Sequence, residues 1–285
     1  MIARRVAVVV LLVAGAGAGA GGGGGQTAAQ ADVRPLDRQH AGVPASTRVS
    51  QSPSQHQWQR TAAGPLAGRT IVIDPGHQLG NHNYPAQINR QVPAGGFTKP
   101  CNTTGTATNG GYPEATFAWQ VSRLVTARLR ELGATVRLTR HSNRQDRWGP
   151  CVDVRGRAGN SIDADLKISI HADGSYAAGA HGFHVIAPPD RAPWTDDIHG
   201  SSMRLAAAVK GGLLAQRFVV ATYVAGGDGL DVRSDLGTLN LSDVPTVMVE
   251  LGNMRSAAEA RVMTSPRGRA RYARGLVSGA RAFLD

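Results

Sequence analysis

Apolar positions along this chain fall into two periods. Short β-branched or wholly apolar runs occur at Arg69–Asp74, Ala134–Leu138, Leu166–Ile170, His181–Ala187 and Val244–Glu250, several of them closed by Gly or Pro. Such runs predict strands. Between them, Phe117, Val121, Leu124, Val125, Leu129 and Leu132 recur at helical spacing and predict a helix over Glu114–Leu132, stopped by Gly133. Ser201–Phe218 carries Leu205, Val209, Leu213 and Leu214 on one helical face, Arg155–Ser161 reads as part of a helix, and residues 257–264 and 267–284 read as the last helices. Strands alternating with helices predict an α/β domain, its mostly parallel sheet covered on both faces. Residues 78–113, rich in Gly, Pro, Asn and Thr, fit neither period and read as one long connection, a kind that usually carries function.

The first 65 residues lack either period. Arg4 and Arg5 precede an apolar run at Val6–Val13, and a Gly/Ala stretch ends at Ala29-Gln30-Ala31. That layout predicts a cleaved signal peptide over residues 1–31. The run is shorter than the ~20 residues a spanning helix needs, so no stable membrane insertion is expected after cleavage. Residues 32–65 read as a flexible leader, and residues 66–285 as one globular domain, exported to the cell envelope or secreted and monomeric. The formal net charge of +11 comes mainly from Arg, with Lys only at 99, 167 and 210. An exported basic protein is drawn to anionic polymers. No basic helix with interleaved aromatics is present, so nucleic acid is not an expected partner.

Chemistry concentrates where predicted strands end. His77 follows Asp74-Pro75-Gly76, His171 closes Leu166–Ile170, Glu114 opens a helix, and Glu250 sits within Val247-Met248-Val249-Glu250-Leu251. Each has a plain alternative. His77 suits a surface turn, His171 a satisfied core position, and Glu114 the first turn of any helix. Glu250 is more telling, because a carboxylate in an apolar run is costly without a partner. Together, two His and one Glu form a three-ligand zinc set with an open fourth position. Water bound there ionises near neutral pH and attacks a carbonyl, while a free carboxylate moves the protons.

The ordered segments Ile73-Asp74-Pro75-Gly76-His77, Glu114, Leu138-Thr139-Arg140, Arg155 before Gly159-Asn160, Ser169-Ile170-His171-Ala172-Asp173, Gly182-Phe183-His184-Val185 and Val249-Glu250-Leu251-Gly252-Asn253 resemble the zinc-dependent N-acetylmuramoyl-L-alanine amidases of the amidase-3 type. The resemblance spans about residues 66–285 and is greatest to compact, secreted, single-domain members. It implies a twisted, mainly parallel sheet flanked by helices, and one Zn2+ per chain held by His77, Glu114 and His171. Glu250 matches the catalytic carboxylate. The implied substrate is peptidoglycan or its muropeptides, cut between N-acetylmuramic acid and the L-alanine of the stem peptide. Gln78-Leu79-Gly80-Asn81 and Gly252-Asn253-Met254-Arg255 depart from the family's usual pattern. Asp74 and Asp173, near the ligand histidines in sequence, are expected to orient them, and Asn240 to contact the stem peptide. His184 is the next candidate near the site. Cys101 and Cys151 are expected to pair, as two cysteines in an exported chain most simply do. Two other functions use the same sequence: a zinc endopeptidase cutting within the stem, and an inactive wall-binding regulator, which should have lost ligands.

Overall fold

The computed structural model describes residues 64–285. The signal peptide expected over residues 1–31 lies outside them, as do residues 32–63 of the expected leader. Among the described residues there are eight strands: β1 (Thr70–Pro75), β2 (Gln91–Pro93), β3 (Thr98–Pro100), β4 (Thr135–Leu138), β5 (Leu166–Asp173), β6 (His184–Ala187), β7 (Leu230–Val232) and β8 (Thr246–Asn253). Six form one sheet in the order β4-β1-β5-β8-β6-β7, while β2 and β3 pair as a separate antiparallel hairpin. Neighbours run parallel except β6 against β8. The exception has a local cause. The chain leaves β5 at its carboxyl end and re-enters the sheet after residues 174–183, with no crossover helix to carry it back to the other edge.

The helices are α1 (Pro85–Asn89), α2 (Glu114–Glu131), α3 (Val152–Arg157), α4 (His199–Ala215), α5 (Gly237–Asn240), α6 (Ala257–Thr264) and α7 (Pro266–Leu284). Strand alternation divides them between the faces. Ile71 and Ile73, Leu166, Ile168 and Ile170, and Val247, Val249 and Leu251 join one large core with α2, α4 and α7. Burying each such side chain contributes about 1.5–3 kcal/mol. Helices α4 and α7 touch backbone to backbone, since a Cβ on Gly212 would lie 2.2 Å from the Gly275 carbonyl oxygen. The alternate residues turn to the other face, which short α3, α5 and the hairpin cover only in part. Ser169, His171, Met248, Glu250, His184 and Ile186 all belong to this thinner side. Among the described residues, no helix is long and apolar enough to cross a membrane.

Residues 78–113 are not one irregular connection. They fold into a 3-10 turn at Asn81–Asn83, α1 and the hairpin. The strand expected from His181 begins at His184, because the Gly182 N–H donates to both Glu259 carboxylate oxygens and holds the preceding turn out of the sheet. A disulfide joins Cys101, just after β3, to Cys151 at the start of α3.

Candidate metal centre and cleft

The carboxyl end of β1 turns sharply into the site. His77 has φ 51°, a left-handed conformation unfavourable for a residue with a Cβ. Two buried arginines hold this turn. Arg155 donates to the carbonyls of Pro75 and His77, both at 2.7 Å, and Arg140 donates to those of Pro75 at 3.0 Å and Gly76 at 3.1 Å. Gly76 has a separate reason to be glycine: a Cβ there would lie 2.5 Å from the His171 ring.

With the turn fixed, His77 Nε2 lies 3.0 Å from Glu114 Oε1, and His171 Nδ1 lies 2.9 Å from the same oxygen. One ligand atom from each of these residues falls within 4.8 Å of the others. His77 Nδ1 lies 3.1 Å from the Thr103 carbonyl and 3.2 Å from its hydroxyl, which turns Nε2 toward Glu114. Glu114 Oε2 accepts from the Thr106 N–H at 2.9 Å, and Oε1 accepts weakly from the Ala172 N–H at 3.3 Å. Burial would raise the Glu114 pKa, but His77 and His171 outweigh it and hold the carboxyl well below the usual range. The donor set suits zinc, whose bonds of about 2.0–2.2 Å place ligand atoms roughly 3–4 Å apart.

Glu250 comes from β8, directly beside His171 in register. Its Oε2 is buried with no hydrogen-bond partner. Burial, supported by the charges of Glu114 and Asp173 and opposed by His171, pushes its pKa up to about 8. His77, Glu114, His171 and Glu250 line one cleft of about 360 Å³, together with Lys99, Thr106 and Thr238.

Three expectations need correction. Asp74 reaches neither imidazole. Its carboxylate accepts from Arg155 at 2.5 Å, from Ser169 at 2.6 Å and from the Thr139 hydroxyl, so it acts on His77 only through Arg155. Asp173 lines the cleft but accepts from the Gly174 N–H at 2.6 Å and the Tyr223 hydroxyl at 2.9 Å, not from a histidine. Asn240 is buried, 1 % exposed, and donates to the carbonyls of Ala94 and Ser234, tying the hairpin to α5 instead of facing the cleft. His184 is buried opposite Glu250 in register, and burial lowers its pKa. Thr103 and Thr106, which position His77 and Glu114, were not marked by sequence. Thr106 acts through its backbone N–H and Thr103 through its carbonyl, groups that any residue type carries, with the Thr103 hydroxyl a further 3.2 Å contact of His77 Nδ1.

Fold and cleft define an α/β protein with a candidate metal centre beside a buried, unpartnered carboxyl group. The sequence model for N-acetylmuramoyl-L-alanine amidase matches residues 71–282, and the chain belongs to that family. It is 43% identical over 222 residues to the N-acetylmuramoyl-L-alanine amidase Rv3717 of Mycobacterium tuberculosis, covering 77% of this chain and 88% of the relative. The apo crystal structure of the N-acetylmuramyl-L-alanine amidase Ami1 from Mycobacterium abscessus is similar at 44% identity and TM-score 0.71, covering 77% of this chain and all of that one. Ami1 from Mycobacterium smegmatis is similar at 40% identity and TM-score 0.71, over 77% of this chain and 98% of that one.

Proposed function

We propose that this protein hydrolyses the amide bond between N-acetylmuramic acid and the L-alanine of the peptidoglycan stem peptide, as a zinc enzyme of the cell envelope. The observation that carries the reading is the convergence of His77, Glu114 and His171 beside the unpartnered carboxyl of Glu250, in a chain of this family. Zinc held by those three residues would act as a Lewis acid on the scissile carbonyl and make water a nucleophile near neutral pH. The chain's own groups do the rest. Thr103 holds the His77 ring through Nδ1, and the Thr106 N–H fixes Glu114. Glu250 takes a proton from the attacking water and returns it to the departing L-alanine amine. Its raised pKa suits a group that must both accept and donate, and a bound cation would draw that pKa back down.

A stem endopeptidase would use the same residues, and product identity separates the two. An inactive regulator is disfavoured, since none of the four positions has been lost. Export follows from the expected signal peptide and a substrate outside the membrane. N-terminal sequencing of secreted protein should find a start near Asp32, and an intact Met1 on membrane-bound material would refute it. The activity itself is tested with a defined muropeptide. Release of a peptide with a new L-alanine amine is expected, lost on chelation and restored by zinc.

A further inference from the structure

A second groove of about 480 Å³ is joined to the cleft through two residues: its Ser175 follows Gly174, and its Arg255 donates to Thr106, both of which line the cleft. Thr106 and Gly174 press together, since a Cβ on Gly174 would lie 2.3 Å from Thr106 Oγ1. Tyr176 lines this groove and is 78 % exposed, a large aromatic ring open to solvent. The ring is nevertheless held. The Arg255 guanidinium packs on it, 4.6 Å from the ring centroid, and donates to Thr106 Oγ1 at 3.2 Å. Asn253 fixes the loop that carries Tyr176 by donating to the carbonyls of Ser175 and Ala180, each at 2.9 Å. Tyr176 thus stacks with a cation that lines the same groove, and most of its surface stays open to solvent.

The remaining lining is small, with amide, hydroxyl and imidazole groups from Asn109, Ser175, His181 and Ser256, and no carboxylate. That chemistry fits a pyranose ring. Its C–H face packs on the electron-rich face of an aromatic ring, and its hydroxyl and acetamido groups need neutral donors and acceptors. Lys99 also lines the cleft, beside Leu236 and Thr238, but its ammonium donates to the Asp235 carbonyl and lies 3.8 Å from the Asp235 carboxylate.

We propose that the Tyr176–Arg255 groove is a sugar subsite, taking the glycan ring that neighbours the scissile muramoyl unit. The inference rests on the amidase reading above and adds where the glycan of its substrate is held. Two substrates test it: N-acetylmuramoyl-L-alanyl-D-isoglutamine, and the same dipeptide on an internal N-acetylmuramic acid of a tetrasaccharide of alternating N-acetylglucosamine and N-acetylmuramic acid. Tyr176→Ala should raise KM for the tetrasaccharide roughly three- to tenfold, with kcat unchanged, while leaving KM for the single-sugar substrate as in wild type. Tyr176→Phe should behave as wild type on both, and Arg255→Met should raise KM for the tetrasaccharide selectively. Equal effects of Tyr176→Ala on both substrates, or none on either, would overturn the subsite while leaving the amidase reading intact. Failure of wild type to cut either substrate at the muramoyl amide would overturn both.

Discussion

Gly76 shows how tightly the candidate centre is built at the scale of single residues. Its missing side chain leaves room for the His171 ring, so Gly76→Ala should displace that imidazole and weaken metal binding while the fold remains. Metal content after dialysis, read beside circular dichroism, checks this. Glu250→Gln should keep zinc yet cut turnover by ~10²–10⁴-fold, since it removes the proton carrier and no ligand. Glu114→Gln should lose zinc first. If the two variants exchange these behaviours, ligand and base have been exchanged. His77, His171, Glu114 and Glu250 were legible because ligand-type residues ended apolar runs or opened a helix. Asp74 and Asp173 were misread because nearness in sequence to a histidine does not fix where a carboxylate points. Asp74 turns instead to Arg155, which is 81 positions away, a contact no local pattern encodes.

Among elements, the hairpin and α3 form the wall opposite the sheet, and the Cys101–Cys151 bridge joins them. Backbone and side-chain bonds reinforce the joint: the Val152 N–H donates to the Cys101 carbonyl, and Asn102 donates to the Pro150 carbonyl, both at 2.7 Å. The bridge closes a loop of 50 positions, which contributes about 4 kcal/mol in the chain-entropy description. Replacing both cysteines by serine should therefore lower Tm by on the order of 10 °C. Scanning calorimetry checks this, and thiol labelling of unreduced, denatured protein should find no free cysteine. The long helices were legible because α2 and α4 repeat their apolar residues over several turns. The hairpin strands, β7 and α5 were not, since three or four residues are too few to display a period. Nor does periodicity carry direction, so the antiparallel course of β6 could emerge only from the short path out of β5.

Across the whole molecule, the buried Asp74–Arg155 pair links the turn before the candidate centre to the body of the domain. Burial alone would raise the Asp74 pKa; Arg155, Ser169 and Thr139 outweigh it and hold the carboxyl at about 2, below its ordinary 3.8. A folded-state value below the unfolded one contributes stability that is complete above the unfolded pKa. It amounts to roughly 2 kcal/mol and is lost as pH falls through about 2. Arg155→Met should cost about 3–5 kcal/mol at neutral pH by stranding the carboxylate, and part of that cost should be regained in acid, where Asp74 is protonated. Denaturant melts at several pH values test both. Zinc should add about 2.7 kcal/mol at a free concentration 100-fold above its Kd, and His77→Ala should abolish that gain. The α/β class was legible from alternating periods, but the crowding of long helices on one face was not, because it depends on which side each strand turns its alternate residues. The bond cleaved is the most direct test. Mass spectrometry of a muropeptide digest by the zinc-loaded protein should find free N-acetylmuramic acid glycan and a stem peptide beginning with L-alanine, with neither product after metal removal. A new amine within the stem peptide, or undiminished cleavage by verified metal-free protein, would contradict a zinc amidase built on His77, Glu114, His171 and Glu250.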